Sequence, residues 1–257
     1  MFAADALPRS LAGTLRRYAV RLLDTVLPPA CALCGDAQAG ALLCPACCAQ
    51  FFSAAASGPR CRCCANPLPS PLPPGLAMLC GQCQQRRPAY DQTVVACTYA
   101  LPLDRLVLQL KFGQRLAYAG LMAQQLRDAI LRQPHYRLPD LLCPVPLGPR
   151  RLAERGYNQA LEIARPLARQ LGIPLAPRLL LRVRETAPQS LVSATARQHN
   201  LAGAFAVSDV ALVRGRHIGM VDDVMTSGST LQEIAATLRR YGASRISNLV
   251  FARTPPH

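Results

Sequence analysis

Ten of the twelve cysteines in this chain fall between residues 31 and 83, and four pairs among them have two residues between the sulfurs. The pairs are Cys31 and Cys34 in "CALCG", Cys44 and Cys47 in "LCPAC", Cys61 and Cys64 in "CRCCA", and Cys80 and Cys83 in "CGQC". Two intervening residues let a tight turn aim both sulfurs at one tetrahedral ion, and two such turns complete a four-sulfur site. Four turns therefore predict two structural zinc ions. Iron–sulfur ligation uses the same thiolates but usually at other spacings. A redox dithiol would need one pair beside a βαβ unit. Structural zinc is favoured over both. Cys48 and Cys63 lie inside the knuckles as spare thiols, so Cys63 in place of Cys64 stays open. The nearby stretch "NPLPSPLPPGLA" has little with which to build a core, so metal binding must supply most of this region's folding free energy.

The 257 residues, about half apolar, suffice for one substantial core or for a core with a small appended module. A formal net charge of +15 makes polyanions the natural partners. Arginine supplies every basic residue but one, so much of that charge reflects a bias toward arginine, and Lys111 stands out as the sole lysine. A compact ammonium retained among guanidinium groups suggests a place where a planar fork does not fit. At the N-terminus Leu11, Leu15, Tyr18, Leu22, Leu23 and Val26 repeat at helical spacing among Arg9, Arg16, Arg17 and Arg21. Charge interrupts that pattern too often for a signal-peptide core, and the run is too short to span a bilayer. The protein is expected in the cytoplasm, where thiols stay reduced and a disulfide framework is not expected. The basic helix suits packing on its own protein better than peripheral contact with an anionic membrane.

From about Tyr90 the periodicity becomes that of an α/β domain. "DQTVVACTYA", "DLLCPVPL", "HIGMVDDV" and "RISNLVFA" read as strands. "AYAGLMAQQLRDAILRQ", "RGYNQALEIARPLARQLG" and "STLQEIAATLRRYG" read as amphipathic helices. Alternation of this kind implies a mostly parallel sheet with helices on both faces. Cys97 and Cys143, inside apolar runs, read as small buried hydrophobes. The expected organisation is an N-terminal helix with a double zinc ribbon over residues 1–88 and the α/β domain over 89–257.

Ligands of such sheets bind at the carboxyl ends of the strands. In "IGMVDDVMTSGST" the end of a buried strand carries Asp222 and Asp223, and Thr226, Ser227, Gly228, Ser229 and Thr230 lead into a helix. Backbone N–H groups at a helix start, flanked by hydroxyls and a glycine, form a cradle for phosphate. The acids would repel phosphate but suit vicinal hydroxyls or a magnesium ion. A ribose 5-phosphate carrying a pyrophosphate offers all three. The plainer reading, in which the acids end a strand and Ser229 caps a helix, leaves two adjacent acids at a buried strand end without a partner. Neither the triphosphate loop G-x-x-x-x-G-K-[ST] nor the dinucleotide fingerprint G-x-G-x-x-G is present.

"IGMVDDVMTSGST" resembles the phosphoribosyl pyrophosphate signature of type I phosphoribosyltransferases. The order of the four knuckles, "LKFG", "PVPLGPRRLAERGYNQ", "RQHNLAGAF" and "VDDVMTSGST" is similar to the ComF (competence protein F) family, from about Leu22 to Thr254. Ser227 and Ser229 stand where threonine and alanine are common in the signature. The resemblance implies a type I phosphoribosyltransferase-like sheet behind a double zinc ribbon. It places the ribose hydroxyls on Asp222 and Asp223 and the 5-phosphate along Thr226 to Thr230, with Val224 and Met225 inside the signature. It puts Pro146 and Leu147 in a pyrophosphate-contacting loop, with Arg150, Arg151 and Arg155 available to neutralise that group, and Lys111 near the phosphates. Asp222, Asp223, Lys111 and Arg151 would carry catalysis, a displacement at the anomeric carbon with magnesium and basic side chains stabilising the departing pyrophosphate. His199 and Asn200 are candidates above the site. The resemblance also implies a part in DNA uptake and natural transformation, with single-stranded DNA and competence proteins as possible partners. A fold kept for handling single-stranded DNA or sensing a ligand is the alternative. Absence of tryptophan and scarcity of other aromatics leave few platforms for base stacking.

Overall fold

The structure, a computed structural model, describes residues 30–38, 40–70, 78–183 and 203–255. The expected N-terminal helix, residues 71–77 of the proline-rich stretch, and His199 with Asn200 lie outside the described residues. The chain divides into two compact units, residues 1–50 and 51–257. The second pair of knuckles thus belongs to the same unit as the sheet.

In chain order the elements are α1 (Pro45–Phe52), α2 (Ala54–Ser57), α3 (Gly81–Gln85), β1 (Gln92–Thr98), α4 (Asp104–Phe112), α5 (Ala117–Leu131), β2 (Leu141–Pro144), α6 (Pro149–Arg155), α7 (Gln159–Leu171), β3 (Leu180–Arg182), β4 (Phe205–Val207), β5 (His217–Met225), α8 (Ser229–Arg240) and β6 (Arg245–Arg253). Among the described residues no helix is long and apolar enough to cross a membrane.

Each unit contains the same knuckle turn. In the first, Cys31 N–H donates to Asp36 O (2.7 Å) and Gly35 N–H to Cys31 O (2.9 Å). In the second, Cys61 N–H donates to Asn66 O (2.8 Å) and Ala65 N–H to Cys61 O (2.8 Å). An antiparallel bridge closes each turn, Ala30 with Ala37 and Arg60 with Pro67. The remaining two cysteines of each set stand at the start of a short helix, Cys44 and Cys47 at α1, Cys80 and Cys83 at α3.

A four-stranded parallel sheet in the order β1-β6-β5-β2 carries the second unit, with β3 and β4 as a separate antiparallel pair. β5 and β6 are buried along nearly their whole length, as strands covered on both faces must be. Ile218 and Met220 of β5 and Ile246 and Val250 of β6 share a core with Leu231, Ile234, Ala235 and Leu238 of α8. α5 and α7 pack on each other and against the strands, so helices cover both faces. Cys97 and Cys143 are buried, as their apolar surroundings predict. Gly219 lies under this packing: a Cβ there would meet Leu142 Cδ2 at 2.6 Å and Pro139 Cγ at 2.7 Å.

β5 has β6 on one side and β2 on the other. The segments leaving the carboxyl ends of β2 and β5 therefore emerge side by side, where open α/β sheets bind ligands.

Candidate functional site

A cleft of about 260 Å³ opens at that edge. Its walls are the segment after β2 (Val145, Pro146, Leu147), the end of β5 from Asp222 to Met225, and the turn and first residues of α8 from Thr226 to Leu231. Lys111, Arg151, Tyr99, Gln159 and Arg182 complete the lining. Lys111 stands more than a hundred residues before the acids in sequence, yet α4 delivers its ammonium to Asp223, with Nζ 2.8 Å from Oδ2. The Lys111 side chain is 22% exposed and that of Asp223 is 4% exposed, so the pair sits at the cleft wall rather than on the surface.

The acids fall within the last turn of the strand ladder, Asp222 opposite Val250. Asp222 Oδ1 accepts from Asp223 N–H and Asp223 Oδ1 from Val224 N–H, both at 2.9 Å. Burial pushes the Asp222 carboxyl well above the ordinary carboxylate range, and the neighbouring Asp223 charge pushes it further, against the opposing pull of Lys111. Two adjacent acids beside one ammonium present carboxyl oxygens that fit a polyol or a cation as ligand at this point.

The turn beyond has the form of a phosphate cradle. Gly228 takes φ +80°, which L side chains rarely adopt, and a Cβ on it would meet Met225 Cε at 2.5 Å. The positive φ is what calls for glycine, since the terminal methyl of Met225 can shift. Gly228 is also the N-cap of α8 and brings no capping side chain of its own, while Ser227 Oγ accepts from Ser229 N–H at 3.4 Å, so the start of the helix faces the cleft amid hydroxyls. Ser229 is consequently the first helical residue and not the cap that the plainer reading assigns. Thr226 and Ser227 are exposed, and Ser227 Oγ lies 2.8 Å from Ser229 Oγ.

The "GYNQ" run turns out to clamp the other walls. Tyr157 donates its hydroxyl to Leu110 O, on the helix that carries Lys111. Asn158 caps α7 by accepting from Ala160 N–H (3.0 Å) while its amide donates to Val145 O (3.0 Å) in the segment after β2. Of the three arginines just before, Arg151 lines the cleft. Arg150 pairs with Glu154 at 2.9 Å on the exposed face of α6. Arg155 lies over the Phe112 ring at 5.2 Å and donates to Gln159 Oε1 at 2.6 Å. Tyr99, Gln159 and Arg182 escaped sequence reasoning. Gln159 closes a motif that was noticed for its arginines, whereas nothing near Arg182, at the end of a three-residue strand, marks it in sequence.

The cysteines assemble as the spacing predicts. Cys31, Cys34, Cys44 and Cys47 form one group and Cys61, Cys64, Cys80 and Cys83 the other, with all four sulfurs of each group within 4.8 Å of one another. A tetrahedral zinc–thiolate centre has sulfurs about 3.8 Å apart, close to the 3.7 Å of Cys34 to Cys44 and the 3.5 Å of Cys64 to Cys80. The sulfur-only donor set suits zinc. Cys64, not Cys63, completes the second group. Cys63 is buried with Sγ 3.8 Å from Tyr90 O.

The family profile described as "Phosphoribosyl transferase domain" matches residues 158–256, and that described as "Double zinc ribbon domain" matches residues 22–84. DNA utilization protein YhgH of Salmonella typhimurium is 40% identical over 178 residues, covering 68% of this chain and 78% of that protein. YhgH of Escherichia coli strain K12 is 39% identical over 178 residues, with the same coverage of 68% and 78%. Competence protein F of Haemophilus influenzae is 38% identical over 183 residues, covering 69% of this chain and 79% of that protein. Ribbon knuckles, parallel sheet and relatives along most of the chain agree: it belongs to the ComF family of competence protein F and DNA utilization protein YhgH.

Proposed function

We propose that the cleft binds phosphoribosyl pyrophosphate with magnesium and that the protein is a phosphoribosyltransferase acting on a nitrogen acceptor in DNA utilization. One observation carries the reading: Lys111, Arg151, Asp222, Asp223 and the Thr226–Thr230 turn, drawn from distant parts of the chain, line the same cleft. In this reading the first-turn amides and hydroxyls of α8 hold the 5-phosphate. Asp222 and Asp223 hold the ribose hydroxyls and orient the anomeric carbon. Lys111 and Arg151 lie beside the pyrophosphate, where fixed positive charge stabilises it as it departs. Magnesium bound with the pyrophosphate supplies further positive charge, and the acid-rich wall fits its presence. A second reading, a module that handles single-stranded DNA without catalysis, is favoured by the relatives' names and the net charge of +15.

The thermal unfolding midpoint separates the two. A ligand present at about a hundred times its Kd stabilises the folded protein by about 2.7 kcal/mol. Phosphoribosyl pyrophosphate with magnesium should therefore raise the midpoint by several degrees, and Asp223→Ala should abolish the rise. A wild-type protein that shows no shift but binds single-stranded DNA with a steep salt dependence would leave the second reading in possession.

A further inference from the structure

The cradle is tied to the second four-cysteine site through one buried side chain. Arg253, at the end of β6, is 5% exposed. Its Nε donates to Cys64 O at 3.1 Å, the carbonyl of a sulfur ligand in the second knuckle. Its Nη1 donates to Met225 O at 3.1 Å and to Thr226 O, the two residues that begin the cradle turn, and to Thr254 O at 2.6 Å. The planar guanidinium thus joins knuckle and turn by donors held in one rigid fork.

A second cavity of about 300 Å³ lies between the two, lined by Cys64, Cys83, Tyr90, Gly228 and Arg253 among others. The back of the turn is therefore not packed solid there, and polar ties across the gap bear on its position. Tyr90 reinforces the connection: its carbonyl is near Cys63 Sγ, and its hydroxyl would be 3.4 Å from a Cβ on Gly228. The knuckle also rests on the sheet, where Arg62 O accepts from Thr93 N–H at 3.0 Å, and convergence of its four sulfurs on one centre fixes the remaining freedom of the Cys64 carbonyl.

We infer that Arg253 is a positioning residue that makes the grip of the 226–230 turn depend on the second four-cysteine site being closed on its metal. The inference rests on the reading of that turn as the ligand's phosphate cradle, but its structural half does not. Removal of metal frees the Cys64 carbonyl, the fork loses one of its anchors, and the carbonyl of Thr226 is released to reorient, while Met225 O keeps its bond from Thr254 N–H at 3.0 Å. The amides of the turn then no longer converge on one point. Loss of one anchor on the fork is expected to weaken the grip about tenfold.

The full-length chain tests this by amide hydrogen exchange at Gly228, Ser229 and Thr230, with zinc content measured on each sample and affinity for phosphoribosyl pyrophosphate and magnesium measured by calorimetry. Arg253→Gln should keep two zinc ions per chain, exchange these amides several times faster than wild type, and bind the probe about tenfold more weakly. Arg253→Lys, which keeps the charge without the fork, should fall between. Cys83→Ser, which breaks the second sulfur set alone, should speed the same amides, and adding Arg253→Gln to it should add little, because both changes cut one tie. Slow exchange and wild-type affinity in zinc-replete Arg253→Gln would overturn the inference while leaving the cleft's ligand intact. Additive effects of the two substitutions would overturn it as well. If wild type fails to bind the probe yet the exchange rates follow the pattern described, the ligand reading falls and the tie from knuckle to turn stands.

Discussion

Asp222 shows what the site costs at the scale of a residue. Its carboxyl is pushed above the ordinary range first by burial and then by the charge of Asp223. The folded state therefore binds a proton at Asp222 more readily than the unfolded chain does. Stability falls as pH rises from the unfolded value of about 3.8 to the higher folded value, and the deficit stays constant above it. Asparagine carries no such deficit, and its oxygen can still accept the bond from Asp223 N–H. Asp222→Asn should raise the stability of the ligand-free protein at neutral pH, with the gain vanishing as pH is lowered to the unfolded value of about 3.8. It should also weaken binding of phosphoribosyl pyrophosphate. Urea unfolding at several pH values reads the first effect and calorimetry the second. A variant that is less stable than wild type at pH 7 would show that the acid is not strained. Asp223 differs from its neighbour because Lys111 meets it at 2.8 Å. Loss of that lysine would leave a buried acid without its partner.

At the scale of elements, the turn between β5 and α8 joins backbone conformation to function through Gly228. Its φ of +80° is a strained conformation for any side chain, and a Cβ there would also have to displace the terminal methyl of Met225 at 2.5 Å. Gly228→Ala should destabilise the protein by about 2 kcal/mol and distort the turn, so that stability in urea and probe affinity fall together. Wild-type stability would mean that the turn relaxes without loss. This turn was legible because its chemistry is local: apolar strand, acids, hydroxyls and glycine follow one another in the chain. The same holds for β1, β2, β5 and β6 and for α5, α7 and α8, whose periodicities give them away. Other features depend on contacts that no local pattern encodes. β6 runs between β1 and β5 although it comes last in sequence. Arg182 reaches the cleft from a three-residue strand. The arginines of α6 separate into one that lines the cleft and two engaged elsewhere, and no feature of "GPRRLAER" distinguishes them. The run "GYNQ" proved to be a clamp on two walls because Tyr157 and Asn158 find carbonyls 47 and 13 residues away.

For the whole molecule, the two sulfur clusters are equal in chemistry and unequal in consequence. Each repeats the same turn and the same pair of helix-start cysteines, but the first lies in the compact unit of residues 1–50 and the second in the unit of residues 51–257 that carries the sheet. The composition change near residue 88 marks where the cysteine pattern ends, whereas the compact units part at residue 50. The reason is visible in the second knuckle, whose Cys61, Cys63, Cys64, Ala65 and Cys83 are buried in one cluster with Val95, Met225 and Leu231. Arg62 O accepts from Thr93 N–H at 3.0 Å and Arg60 donates to Thr98 Oγ1 at 2.7 Å, so β1 continues into that knuckle. Structural zinc contributes folding free energy directly, on the order of 10 kcal/mol in isolated zinc modules, but only the contacts of each cluster decide which part of the fold loses it. Cys34→Ser should therefore reduce the zinc content from two ions to one and leave the melting of the sheet-bearing unit close to wild type. Cys83→Ser should remove the other ion and lower that melting transition by many degrees. Calorimetric scans with zinc determined on the same samples read both, and equal losses from the two substitutions would show that the units do not unfold as the contacts divide them.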